Sequence, residues 1–201
     1  MIVALNSMNL EDSRLVEKFL NGNEEAFSQL VKKYLKPVYN FLYYFTRNQA
    51  ELDDLTQIVF IKVWKNLQKF DRKKKFKTWV FAIAKNTAYD FVHKKKTLPF
   101  ANFTDEEGNN KLENISDESI LPDEILNRKD ITRELEKKLA EIPEHYRIIL
   151  TLHYKEDFSL SEIAEILNKP YNTVKSGHQR ALIKLKETLL KVPFRNKMRL
   201  F

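Results

Sequence analysis

The chain contains no cysteine. Disulfides, thiol nucleophiles and zinc–thiolate sites are therefore excluded together. Glycine occurs at only three positions in 201 residues, and proline at six. Three glycines cannot build a phosphate-cradling loop, and the scarcity of both residues favours helices over a turn-rich sheet protein. No apolar run approaches the roughly 20 residues that span a bilayer, so no membrane insertion is expected. The first residues, MIVALNSMNLEDSRL, lack a basic flank before their short apolar stretch and make a poor signal peptide. A cytoplasmic protein is the expectation.

What is present points the same way. Hydrophobic residues make up 43%, enough for real cores. Leu, Lys, Glu, Ile and Phe dominate, which suits an all-α chain. A formal charge of +7 and a pI near 9.3 favour a polyanionic partner, nucleic acid before membrane surface.

Three zones differ in character. Residues 1–96 are dense in aromatic and aliphatic side chains at helical spacing. Residues 97–127 lose that period and carry Asp105, Glu106, Glu107, Glu113, Asp117, Glu118, Asp123 and Glu124 against Lys111 alone. In a basic protein this inversion reads as an acidic linker. Residues 128–201 turn helical again. The expected architecture is two small helical domains on either side of that linker.

In the first zone the pattern predicts helices over Ser13–Leu20, Glu24–Arg47, Glu51–Leu67 and Phe76–Lys96, with a loop at Gln68–Lys75. Pro37 is expected to bend the second. In the third zone a charged helix over Arg128–Glu141 precedes a restart at Pro143. Ser159 with Glu162 forms a capping-box signature opening Leu160–Leu167. Asn168-Lys169-Pro170 makes a turn, and a final helix runs from about Asn172 to Lys191.

Two short helices across a tight turn place the second against a DNA major groove. Val174, Ala181, Leu185 and Leu189 share one side and are expected to pack on Ile163, Ala164 and Leu167. Asn172, Thr173, Lys175, Ser176, Gln179 and Arg180 are the candidate DNA contacts. Lys and Arg suit guanine edges or phosphates, Gln suits adenine, and the helix start suits a phosphate oxygen. In the first zone, Lys73, Lys74, Lys75, Lys77 and Lys85, with Lys94 to Lys96 beyond, stand near Phe70, Phe76 and Trp79. A cationic groove beside aromatic surface is how single strands are held. Phe76 and Trp79 suit a core better than a stacking surface, whereas the lysines suit exposed positions. Asn86 and Asp90, one turn apart, fit either DNA contact or a local hydrogen bond.

At these residues the chain resembles a known family. IPEHYRIILTLHYKEDFSLSEIAEILNKPYNTVKSGHQRALIKL is similar to region 4 of bacterial extracytoplasmic-function (ECF) sigma factors. DDLTQIVFIKVWKNLQKF and FKTWVFAIAKNTAYDFVHKKK are similar to their region 2. The resemblance implies an alternative sigma factor that binds core RNA polymerase at its clamp coiled coil and flap. It implies −35 recognition by the final helix and −10 recognition by Lys73, Lys74, Lys75, Lys77, Lys85, Asn86 and Lys94. Asp53, Asp54, Gln57 and Ile61 are implied as the clamp-binding face, and an anti-sigma factor as a further partner. Gly177 departs from the pattern where an arginine is usual, which removes an expected phosphate contact and weakens the helix by ~1 kcal/mol relative to alanine. His178, Gln179 and His93 depart as well.

Nothing suggests catalysis or a cofactor. Asp53 and Asp54 are adjacent and diverge on a helix, and His145 and His153 lack a partnering H-E-x-x-H pattern. The alternative reading is a stand-alone helix-turn-helix regulator that binds duplex DNA without polymerase. That would need a dimerisation or ligand domain where the lysine-aromatic bundle lies.

Overall fold

The computed structural model describes residues 2–46, 49–97 and 137–190, with side chains from Leu10 onward and, on the fourth helix, through His93. All regular structure among the described residues is helical. The acidic linker, most of the charged helix expected before Pro143, and the end of the chain lie outside the described residues.

Helix α1 spans Ile2–Leu20, so it begins well before the Ser13 expected from the sequence. It ends at Gly22, whose φ of 93° requires a residue without Cβ strain. Asn23 then caps the next helix, its Oδ1 accepting from the Ala26 amide at 3.2 Å. Helix α2 (Glu24–Thr46) stays helical on both sides of Pro37. Helix α3 (Leu52–Asn66) and α4 (Phe76–Thr97) complete the bundle. A buried polar cluster ties α1 to α2: Tyr34 donates to Asp12, and Lys33 Nζ lies 2.6 Å from Asp12 and 2.8 Å from Glu11. Burial, and then the bond to Asp12, push the Tyr34 phenol far above its usual range.

In the C-terminal unit, residues 137–141 are helical and Pro143 precedes α5 (Glu144–Leu150). A π-helical turn, Thr151–Lys155, extends α5. Helix α6 (Leu160–Leu167) opens with the expected capping box: the Glu162 amide donates to Ser159 Oγ at 3.3 Å, and the Ser159 amide to Glu162 Oε2 at 2.8 Å. It closes on Asn168 in the left-handed conformation, φ 51°, a position Asn tolerates better than most residues. Helix α7 (Tyr171–Leu190) follows directly.

The two units do not stand apart. One continuous core joins Val38, Phe41, Phe45, Val80 and Phe81 of the bundle to Ile148, Ile149, Leu152, Phe158 and Ile163. A second, smaller cluster of Leu139, Ile142, Leu150 and Ala181 holds α7 to α5. Polar bonds close the seam. Buried Arg147 on α5 donates to the Tyr44 carbonyl at 2.9 Å and to the Ile142 carbonyl at 3.1 Å. Lys155 donates to the Tyr44 hydroxyl. Phe158 meets Phe81 edge to face at 4.9 Å.

Candidate nucleic-acid interface

Helix α7 sorts its side chains as a period of 3.6 requires. Val174, Ala181 and Thr188 are buried at steps of seven, while Asn172, Thr173, Lys175, Gln179 and Arg180 face solvent. Ser176 is half-buried, its hydroxyl donating to the Thr173 carbonyl at 3.1 Å. Leu189, expected inward, is exposed: Thr188 takes the inward place and donates to the Lys184 carbonyl. The unit thus offers one polar, basic face with a packed back.

Gly177 falls on the packed side. A Cβ built there lies 2.9 Å from Ile149 Cδ1. The glycine therefore admits close approach of α5, and a side chain at this position starts toward Ile149 rather than toward a free groove. Its neighbour His178 sits at the flank, with the Tyr154 hydroxyl 3.2 Å from its Nε2 and the His153 ring 4.9 Å away. His153 Nδ1 lies 2.7 Å from the Phe158 carbonyl. Burial first, then His153, lower the His178 pKa. These three side chains anchor the recognition helix to the π-helical turn.

The lysine surface of the bundle divides. Lys73 and Lys74 are exposed on a tight turn closed by Asp71, which accepts from both amides. Lys75 pairs with Glu162 of α6 at 2.8 Å. Burial alone would raise the Glu162 carboxyl, but hydrogen bonds from Lys75 and Ser159 hold it below the usual range. Lys77 departs from the exposed position expected of it. It is half-buried, donates to the Glu156 carbonyl, and lies over the Phe158 ring at 4.5 Å. Burial lowers its pKa despite the nearby carboxylates. Glu156 itself is buried, and burial pushes its carboxyl up to about 7, with Lys77 and Lys155 pulling the other way and Asp157 adding to the rise.

Farther along α4, Lys85 donates to the exposed Asn86 side chain at 3.0 Å. Asp90 faces Lys62 at 4.0 Å rather than bonding Asn86. The Lys94 side chain lies outside the described residues. Phe70 and Phe76 are core residues, with ring centroids 5.6 Å apart, and Trp79 is half-buried against both. The exposed aromatic of α4 is instead Tyr89.

On α3, Asp53, Asp54, Gln57 and Ile61 all face solvent. The structure adds Ile58 and Trp64 to this face, both exposed large apolar groups. They are out of phase with the inward Leu55, Val59 and Val63, and that phase was the available signal.

Residues 30–97 match sigma-70 region 2, and residues 132–185 match sigma-70 region 4. The chain is 30% identical over 184 residues to the ECF RNA polymerase sigma factor SigW of Bacillus subtilis, covering 90% of this chain and 98% of SigW. It is 31% identical to the RNA polymerase sigma-H factor of Pseudomonas aeruginosa, over 85% of this chain and 90% of that protein. Among solved structures, CnrH in complex with the cytosolic domain of CnrY has the same fold: TM-score 0.64, 22% identity, 89% of this chain and 97% of that one. The chain belongs to the ECF RNA polymerase sigma factors, regulatory proteins of the sigma-70 family. It is an alternative sigma factor that directs transcription initiation. The stand-alone regulator is not favoured, because the bundle matches region 2. No helix among the described residues is long and apolar enough to cross a membrane.

Proposed function

We infer that promoter recognition is divided between the two units and that core RNA polymerase supplies all the chemistry. The recognition helix reads the −35 duplex with Asn172, Thr173, Lys175, Ser176, Gln179 and Arg180. The loop before α4 and the helix itself hold the nontemplate strand of the −10 element with Lys73, Lys74, Lys75, Lys77, Lys85, Asn86 and Lys94. The α3 face of Asp53, Asp54, Gln57 and Ile61, widened by Ile58 and Trp64, docks on the clamp coiled coil. The observation that carries this reading is the exposed polar and basic face of α7 above a buried Val174–Ala181–Thr188 back. The protein acts in the cytoplasm, where polymerase works, and catalyses nothing itself. An anti-sigma factor is the further partner, as NepR is for the sigma factor RpoE of Bartonella quintana.

The test is reconstitution with bacterial core polymerase on genomic fragments, followed by transcript mapping. Defined start sites with shared upstream elements are expected. Tight binding to duplex operators by the chain alone, with no programming of the core enzyme, would sink the reading. Changing Lys175 and Arg180 together to Ala lowers −35-dependent initiation and leaves core binding intact. Replacing Asp54 and Gln57 impairs core binding first.

A further inference from the structure

Helix α7 carries a second polar strip beside the face assigned to base edges. His178 stands about 100° around the helix from Gln179 and lies one turn from Lys175. Tyr171, a further turn back and 48% exposed, extends the same flank. From the π-helical turn Tyr154, 57% exposed, lies along this flank, its ring stacked on His178 with planes 29° from parallel. Its hydroxyl and His178 Nε2 are 3.2 Å apart, at the surface. The His153 ring closes the group, edge-on to His178 at 4.9 Å, with its Nδ1 2.7 Å from the Phe158 carbonyl. A carbonyl only accepts, so His153 Nδ1 holds its proton. A helix with its side chains is about 10–12 Å across and the major groove about 12 Å wide. The flanks of an inserted helix therefore meet the phosphate walls, while its outward face meets the base edges.

We propose that Tyr154 and His178 form a proton-linked clamp for one backbone phosphate of duplex DNA, at the groove wall beside Lys175. When His178 is neutral with its proton on Nδ1, Nε2 accepts from the Tyr154 hydroxyl, which then has no hydrogen left to give. A proton taken from solvent makes His178 an imidazolium, whose Nε2–H donates to the Tyr154 oxygen. The hydroxyl hydrogen turns outward and donates to a phosphate oxygen, with the positive ring close behind it. No covalent bond to phosphorus forms or breaks; one proton enters from solvent and stays on His178. In the free chain, burial and then His153 disfavour the charged ring. A phosphate reverses that preference, so binding takes up a proton. Among the described residues, the titratable groups against His178 are Tyr154 and His153 of the turn and, one turn back on its own helix, Lys175. On α6, Glu162 is committed to Lys75 and Ser159, and α5 approaches this part of α7 through Ile149. The proposal rests on the reading that α7 enters the −35 duplex, and it adds a contact outside the residues named there.

The test uses the full chain assembled with core RNA polymerase and a duplex fragment of a promoter mapped by the reconstitution above. Fluorescence anisotropy gives the affinity from about pH 5.5 to 8.5, a range that spans histidine titration. Each variant is read against the parent, so the polymerase's own titration cancels. As pH falls the parent gains affinity over His178→Gln, by at most about tenfold per pH unit, the limit for one proton. At the acid end His178→Gln also lowers the salt slope by about 0.9, the value for one phosphate. Tyr154→Phe keeps the ring stack but loses the hydroxyl, so it erases the gain at low pH and binds like the parent at high pH. His153→Gln removes the neighbouring charge and moves the gain to higher pH, which a merely structural role would not do. If the parent instead loses affinity relative to His178→Gln as pH falls, the three rings only hold α7 in place and the proposal is overturned. A gain that survives Tyr154→Phe overturns it as well. Changing Lys175 and Arg180 together to Ala separates the two levels. If that pair weakens binding while His178→Gln and Tyr154→Phe match the parent throughout, the clamp falls and the reading of α7 stands. If the pair also binds like the parent, both fall together.

Discussion

The two helices assigned to DNA stand in opposite conditions. The outward face of α7, the proposed duplex-reading helix, is open along Asn172, Lys175, Gln179 and Arg180. Helix α4, the proposed strand-reading helix, is open only in its second half. Its first half is pressed against α6 and the segment before it, with Lys77 drawn over Phe158, Phe81 packed on the same ring, and Lys75 paired to Glu162. On the proposed assignment, the closed chain therefore presents its −35 surface ready-made and withholds part of its −10 surface. The difference teaches that exposure of a cationic residue is a property of the assembled chain, not of the helix that carries it.

The largest way to break the contrast is to remove the shared ring. Phe158 is 2% exposed and touches both Phe81 and Lys77. Phe158→Ala should cost about 3–5 kcal/mol, the usual price of emptying an aromatic from a packed core. Most of that loss falls on the seam between the units. Small-angle scattering should show a larger radius of gyration, and Lys77 should become reactive toward an acylating reagent, while duplex −35 binding is retained. If Lys77 stays protected in the variant, the seam is not what covers it.

A smaller effect runs through Glu156, which sits in the seam facing Lys77, Lys155 and Asp157. Its carboxyl titrates near 7 when the units are closed and near the ordinary 4.5 when it is solvated. The closed chain then binds the proton more tightly than the open chain. Closure is strongest at low pH, weakens as pH rises from about 4.5 to about 7, and is level above that. One proton sets the limit at about tenfold in the open-to-closed ratio per pH unit. Fluorescence energy transfer between labels on the two units, read from pH 5 to 8, should show this slope. Glu156→Gln should flatten it. A slope that survives the substitution assigns the proton elsewhere.

Much of α7 was legible because its rules are local. The capping box from Ser159 to Glu162 and the seven-residue step from Val174 to Ala181 depend only on neighbours in sequence. Leu189 is exposed rather than inward because the helical period shifts the inward place to Thr188, and the closeness of Gly177 to Ile149 depends on how α5 crosses α7. Lys77 was beyond reach. Its partners, Glu156 and Phe158, lie some eighty residues away and on the other unit, and no pattern around Lys77 announces them. Tyr89 and Trp64 were within reach, since each falls out of phase with the buried residues beside it. The aromatics nearest the lysine cluster, Phe70 and Phe76, are core residues instead.

The smallest prediction separates charge from packing in the same seam. Lys75 is still 54% exposed where it meets Glu162, so the pair is screened and should be worth about 0.5 kcal/mol. Glu162 complicates the measurement, because it also accepts from the Ser159 amide and hydroxyl. Lys75→Gln leaves those bonds in place, and a double-mutant cycle with Glu162→Gln isolates the pair. The coupling should be a few tenths of a kcal/mol and should fade as salt is raised. A coupling above ~2 kcal/mol would mean that the ion pair, rather than Phe158, governs the seam. Salt would then open the chain as effectively as removing the ring. The contrast between the two helices would become a matter of ionic strength, with α4 open at high salt and covered at low.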